Sequence, residues 1–164
     1  MALPNKEALK NKDCRLHVLK GVVYFSGNLN EYSDFTVIDP LPTPLHINFK
    51  DLESCNSLGI RNLIKFLLAL GKLKFHFSEC PVDFVRQINA IPALLGDKGT
   101  QGQVHSFEAT AFCEKCETTS VHRFEADEVR NAVGAGTPID VKCTECGEKV
   151  TIETEEEFGF LLRT

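Results

Sequence analysis

LHINFKDLESCNSLGIRNLIKFLLAL (residues 45–70) changes its hydrophobic period halfway. Leu45, Ile47 and Phe49 alternate with His46 and Asn48, the period of a strand with one buried face. From residue 58 the period lengthens. Ile60, Leu63, Ile64 and Leu67 recur at three- and four-residue spacing, while Arg61, Lys65 and Lys72 mark the wet side, so a helix is expected over 58–70 with Gly71 to end it. A strand thus runs through a polar corner into a helix, and the question for the rest of the chain is whether that unit repeats.

It does on both sides. Downstream, LKFHF (73–77) alternates again, and PVDFVRQINAI (81–91) reads as a helix with Pro81 at its start, where the missing N–H does no harm. Pro92 bends or ends it, LGDKGTQGQ (95–103) is a glycine-rich loop, and QVHSFEATAF (103–112) reads as one further strand. Upstream, RLHVLKGVVYFSGNLN (15–30) gives two strands turning at Gly21, with Leu16, Val18, Val23 and Phe25 as core candidates. EYSDFTVID (31–39) is expected to form about two turns of helix before Pro40, Pro42 and Pro44. Strands alternating with helices imply parallel pairing in an α/β layer, with an antiparallel hairpin at one edge.

The 164 residues suit one ordinary domain, or one small domain plus a smaller one. Charge divides the chain near residue 104: residues 1–104 carry a net +2 and residues 105–164 a net −7. The acidic half repels phosphate backbones, which argues against non-specific nucleic-acid binding. The N-terminal MALPNKEALKNKDC has no signal-peptide core, and LIKFLLAL (63–70) is too short to span a membrane, so a cytoplasmic protein without membrane insertion is expected.

Seven cysteines, an odd number, fit a disulfide framework poorly, and a reducing cytosol would not keep one. Cys14, Cys55 and Cys80 stand alone in apolar surroundings. The other four form CEKC (113–116) and CTEC (143–146), separated by 26 residues. Two such pairs supply four sulfurs for one tetrahedral Zn²⁺, with Cys113, Cys116, Cys143 and Cys146 as ligands and no open position for catalysis. Gly147 suits the second turn, where positive φ is useful. TTSVHRF (118–124), IDVK (139–142) and KVTIE (149–153) look like hairpin strands, and EADEVRNAV (125–133) like a helical insertion, an arrangement that resembles a zinc ribbon. One structural zinc per chain is expected, and its binding free energy becomes folding free energy in so small a module. His105 and His122 are alternative ligands, but four thiols suffice. The apolar tail FGFLL (158–162) either docks on one of the domains or forms a dimer contact, so the chain is a monomer or a homodimer.

Three local features join the order of elements: GNLN (27–30) after the second strand, the corner FKDLESCNSLGI (49–60), and FHFSECPVDFVRQI (75–88). Together they resemble the STAS family of sulphate-transporter tails and anti-sigma-factor antagonists. The resemblance covers roughly residues 15–112. It implies a STAS-like α/β domain over 1–112, with mixed sheet and helices, followed by a small β-rich zinc-ribbon domain over 113–164 that includes the acidic tail. In bacterial members the corner reads Asp-Ser-Ser-Gly-Leu or Asp-Thr-Ser-Gly-Leu, and a partner kinase, itself the anti-sigma factor, phosphorylates the first hydroxyl residue. Asn56, Ser57, Leu58, Gly59 and Ile60 fall in those places, so the hydroxyl and the glycine match while Asn56 and Leu58 depart.

From the residues alone Ser57 has two readings. Its hydroxyl can cap the helix, contributing ~1 kcal/mol, or Asn56 can take that role and leave Ser57 exposed as a phosphoacceptor. A phosphate there would meet the free N–H groups of the first turn, with Arg61 one turn on. The STAS resemblance then implies a non-enzymatic regulatory or scaffolding protein. It would bind a switch kinase, an anti-sigma factor or a membrane-associated complex through Ser57, Asn56, Gly59 and Arg61, with Asn28 and Asn30 on the neighbouring loop. The alternative is a zinc-ribbon protein that binds nucleic acid or the transcription machinery. No phosphate-binding glycine loop, nucleophile elbow or open metal site supports an enzyme.

Overall fold

The computed structural model describes residues 6–10, 13–38, 40–96 and 101–163. Its order is β1 (Lys6–Lys10), β2 (Cys14–Leu19), β3 (Val22–Leu29), β4 (Leu45–Cys55), α1 (Ser57–Ala69), β5 (Phe75–Ser78), α2 (Val82–Ala90), β6 (Gly102–Val104), β7 (Ser106–Cys113), β8 (Thr118–Glu125), α3 (Ala126–Gly134), β9 (Ile139–Lys142), β10 (Lys149–Ile152) and α4 (Thr154–Phe158). Strands β1 to β6 form one sheet in sequence order. The β1–β2 and β2–β3 pairs are antiparallel, and β3 through β6 run parallel. The class is mixed α/β, as the alternating periods indicate.

One face of this sheet holds the core. Leu45, Ile47, Phe49, Phe75 and Phe77 point into it, and Ile60, Leu63 and Leu67 of α1 and Phe84 and Ile88 of α2 are buried with them. Phe84 packs on Phe49 with ring centres 4.3 Å apart and on Phe77 at 5.7 Å. The other face carries the intervening residues, among them His17, Tyr24, His46, Asn48 and His76, all partly exposed.

Four expectations are corrected. The stretch 31–39 forms only a 3₁₀ turn, Phe35–Val37, because Asp34 accepts from Thr36 N and Ile38 N–H turns back to Phe35 O before a longer helix can start. Asp39 lies outside the described residues. The strand at 45–49 runs on to Cys55, since β3 continues to supply a parallel partner as far as Leu29. The strand at 103–112 is two: β6 pairs with β5, His105 breaks the run, and β7 pairs along its length with β8. Strand β1, which has no alternation to reveal it, adds an edge beyond the expected hairpin.

The expected boundary between residues 112 and 113 falls inside β7. The core continues across it. Phe107 of β7 packs on Phe124, Phe158 and Phe160, and Cys80 beside β5 exchanges backbone hydrogen bonds with Ser106 and Glu108. The tail therefore docks: Phe158, Phe160 and Leu161 are buried. Asn89 of α2 holds the tail by donating to Glu157 O at 2.7 Å and accepting from Phe160 N at 3.0 Å. A second tie crosses the same seam. Glu79, at φ 53, receives Ser106 Oγ at 2.8 Å and the Arg123 guanidinium, which also pairs with Glu125.

Candidate metal centre and polar corner

Two hairpins deliver the four thiols. Strands β7 and β8 flank the first pair, and β9 and β10 flank the second. In each, the residue after the second cysteine has positive φ: Gly147 at 70°, as its lack of a Cβ suggests, and Glu117 at 55° in the equivalent place. The tight turns aim backbone N–H groups at sulfur. Those of Cys146 and Glu145 approach Cys143 and, with Thr118 and Cys116, pull its thiol down to about 6.

The ligand atoms of Cys113, Cys116, Cys143 and Cys146 all lie within 4.8 Å of one another and could hold a metal ion. Cys113 Sγ is 3.6 Å from Cys146 Sγ, and Cys116 Sγ is 3.5 Å from Cys143 Sγ. A disulfide would need ~2.05 Å. A tetrahedron of sulfurs around an ion at ~2.3 Å has edges of ~3.8 Å, so the spacing suits a shared ion and not cross-linking. Cys113 and Cys143 are buried, Cys116 is half-buried and Cys146 is exposed.

Sequence reasoning missed the supports around this cluster. Thr118 Oγ1 sits 2.9 Å from Cys116 Sγ and 3.7 Å from Cys143 Sγ. Lys115 in the first turn pairs with Glu148 beyond the second at 2.7 Å, and Lys149 pairs with Asp140 at the same distance. The alternating charges of CEKC and CGEK were the available signal. His105 and His122 stay apart from the cluster: His105 contacts His76, and His122 contacts Ser120.

At the corner, Asn56 is the helix cap. Its Oδ1 accepts from Gly59 N at 2.8 Å with φ −115 and ψ 169, and its carbonyl accepts from Ile60 N. Ser57 is left exposed in the first turn, with Leu58 and Arg61 beside it. The corner is pinned to the 27–33 loop. Asn56 N–H donates to Leu29 O at 3.0 Å, Asn56 Nδ2 to Glu31 Oε2 at 3.0 Å and Asn62 Nδ2 to Glu31 O at 3.1 Å. Gly59 makes the approach possible, because a Cβ there would stand 2.2 Å from Leu29 O. On the loop, Asn28 Oδ1 accepts from Ser54 Oγ at 2.6 Å, and Asn30 Oδ1 accepts from Tyr32 N at 3.0 Å. Asn28, Asn30, Asn56, Ser57 and Gly59 thus come together. Leu58, Arg61, Lys65 and Leu68 follow at helical spacing on one outward stripe, with Leu58 47% and Leu68 48% exposed and Tyr32 59% exposed on the loop.

Comparison with protein-family models, with curated proteins and with solved structures finds no match. Among the described residues no helix is long and apolar enough to cross a membrane.

Proposed function

We propose that this chain is a non-enzymatic regulatory or scaffolding protein, a STAS-like domain carrying a zinc ribbon, that binds a partner protein through the Ser57 corner. The observation that carries the reading is the pinning of the 27–33 loop to the α1 N-terminus, which sets the loop with exposed Tyr32 beside exposed Ser57, at the start of an outward helical stripe that carries Leu58 and Leu68. Aromatic and aliphatic side chains exposed beside fixed polar groups suit a protein interface. The partner is a switch kinase, an anti-sigma factor or a component of a membrane-associated complex, and the compartment is the cytoplasm.

Zn²⁺ is the ion assigned to the four thiols, because a tetrahedral all-sulfur cage with no open position is the pattern of structural zinc. Its role here is to join the short, mostly exposed β9–β10 hairpin to the β7–β8 hairpin, which is anchored in the core by Phe107 and Phe124. Metal analysis tests it by difference: wild type should hold one zinc per chain more than Cys143→Ser/Cys146→Ser.

The corner is tested by phosphate transfer and partner binding. With the co-occurring kinase, wild type should incorporate phosphate and Ser57→Ala should not, while Ser57→Ala still binds the partner. Leu58→Asp should weaken binding. No incorporation into wild type removes the switch and leaves a constitutive scaffold. Binding unchanged by Leu58→Asp overturns the interface.

A further inference from the structure

Three histidines converge on the sheet face that α1 and α2 leave uncovered. His46 on β4 and His76 on β5 are register partners in the parallel pair, so their side chains emerge side by side. His105 follows β6 and is held against β5 by its N–H, which donates to Phe77 O at 2.8 Å. The ring centres are 4.8 Å apart for His76 and His105, 6.1 Å for His46 and His105, and 6.2 Å for His46 and His76. His105 Nε2 lies 2.8 Å from His76 Nδ1, and His46 Nε2 lies 2.8 Å from Ser78 Oγ.

We propose that His46, His76 and His105 form a second metal site, separate from the four thiols, for a divalent transition ion such as Zn²⁺.

Two imidazole nitrogens at hydrogen-bond distance share one proton between two lone pairs, and an ion that takes both lone pairs replaces that proton bridge. At ~2.05 Å from a tetrahedral ion, two nitrogens stand ~3.3 Å apart and the ring centres about 5 Å apart. The His76–His105 pair is within about 0.5 Å of both separations, and the His46 ring needs to close by about 1 Å on an open face. Ser78 supports the arrangement. When His46 Nε2–H donates to its hydroxyl, Nδ1 carries the lone pair, and such an outer hydrogen bond fixes the orientation of metal-bound imidazoles. Imidazole donors select zinc, copper or nickel over magnesium and calcium. Three protein ligands leave at least one position for water or an outside donor, unlike the closed thiolate cage. The site does not depend on the Ser57 reading.

The test titrates Zn²⁺ into full-length protein whose four-thiol centre is already loaded, at neutral pH, by calorimetry and by the histidine ring signals in NMR. One further zinc per chain should bind and should shift the signals of His46, His76 and His105. Affinity should fall about tenfold or more in each of His46→Gln, His76→Gln and His105→Gln. It should not change in His17→Gln, on the same face but stacked on Tyr24. The folded state of each variant is checked by circular dichroism, and one well-folded variant of the three suffices. No additional zinc in wild type up to millimolar concentration overturns the proposal. So does uptake unchanged by these substitutions, or lowered equally by His17→Gln.

Discussion

Replacing Gly59 by alanine tests the joint between the corner and its loop. The new Cβ would stand 2.2 Å from Leu29 O, 2.3 Å from Leu29 C and 2.5 Å from Asn30 N, all backbone atoms, where ordinary contact begins at 3.4 Å. Helix and loop must separate by about 1 Å, because a close-packed interior has no slack to absorb the overlap. Overpacking of this kind costs about 1–3 kcal/mol. The Asn56–Leu29 and Asn56–Glu31 hydrogen bonds are strained with it, at about 1 kcal/mol each if lost. Against this, alanine is favoured over glycine in a helix by up to about 1 kcal/mol. The net expectation is a loss of about 2 kcal/mol. Gly134 is the control. It also lies in a helix, and nothing stands within 4 Å of its added Cβ, so Gly134→Ala should be neutral or stabilising. Urea denaturation of both variants, followed by circular dichroism, gives the two midpoints. Equal shifts, or a Gly59→Ala protein as stable as wild type, would refute the steric reasoning, since propensity alone predicts the same sign for both.

Further outcomes follow from other contacts. Asn56→Ala should cost about 1 kcal/mol and Ser57→Ala less than about 0.5 kcal/mol, because Asn56 is the cap; the reverse order in denaturant midpoints would return that role to Ser57. The Arg123 guanidinium, with Ser106, holds Glu79 below its usual carboxylate range. Its stabilisation is therefore fully present above the ordinary value of 4.5 and is lost as pH falls through the lower folded value. Thermal midpoints of Glu79→Gln and wild type should accordingly differ at neutral pH by an amount equivalent to about 1 kcal/mol and converge in acid, whereas a pH-independent gap would contradict the ion pair. Asn89→Ala removes a donor and an acceptor from the docked tail and should cost about 1–2 kcal/mol. Hydrogen exchange should rise in residues 157–161, and unchanged protection there would show that the apolar contacts suffice alone.

The parts legible in the sequence were those with a period or a spacing. Alternation gave β4 and β5, a helical stripe gave α1, Pro81 marked the start of α2, and a strand pair turning at Gly21 gave β2 and β3, so the parallel arrangement followed. Two Cys-x-x-Cys pairs gave a cluster that the fold brings together across 26 residues. The misses have physical causes. Residues 31–38 hold acidic and aromatic residues compatible with a helix, but local capping by Asp34 closes a single turn. The break at His105 is invisible because no glycine or proline separates β6 from β7, which pair with different partners. Asn56 and Ser57 are both competent caps, so only the backbone at the corner could choose between them. Glu79, Arg123 and Asn89 act through partners 27 to 74 residues away, and no local pattern marks such pairs.

The Ser57 corner is the surface proposed to meet a partner. A photo-crosslinking residue placed at Ser57 in the full-length protein, in its native cells, tests this most directly, with the same residue at exposed Glu128 on α3 as the control. One defined protein adduct is expected from position 57, absent from position 128 and lost when Gly59→Ala displaces the corner. Identical adducts from both positions, or none from position 57, would contradict it.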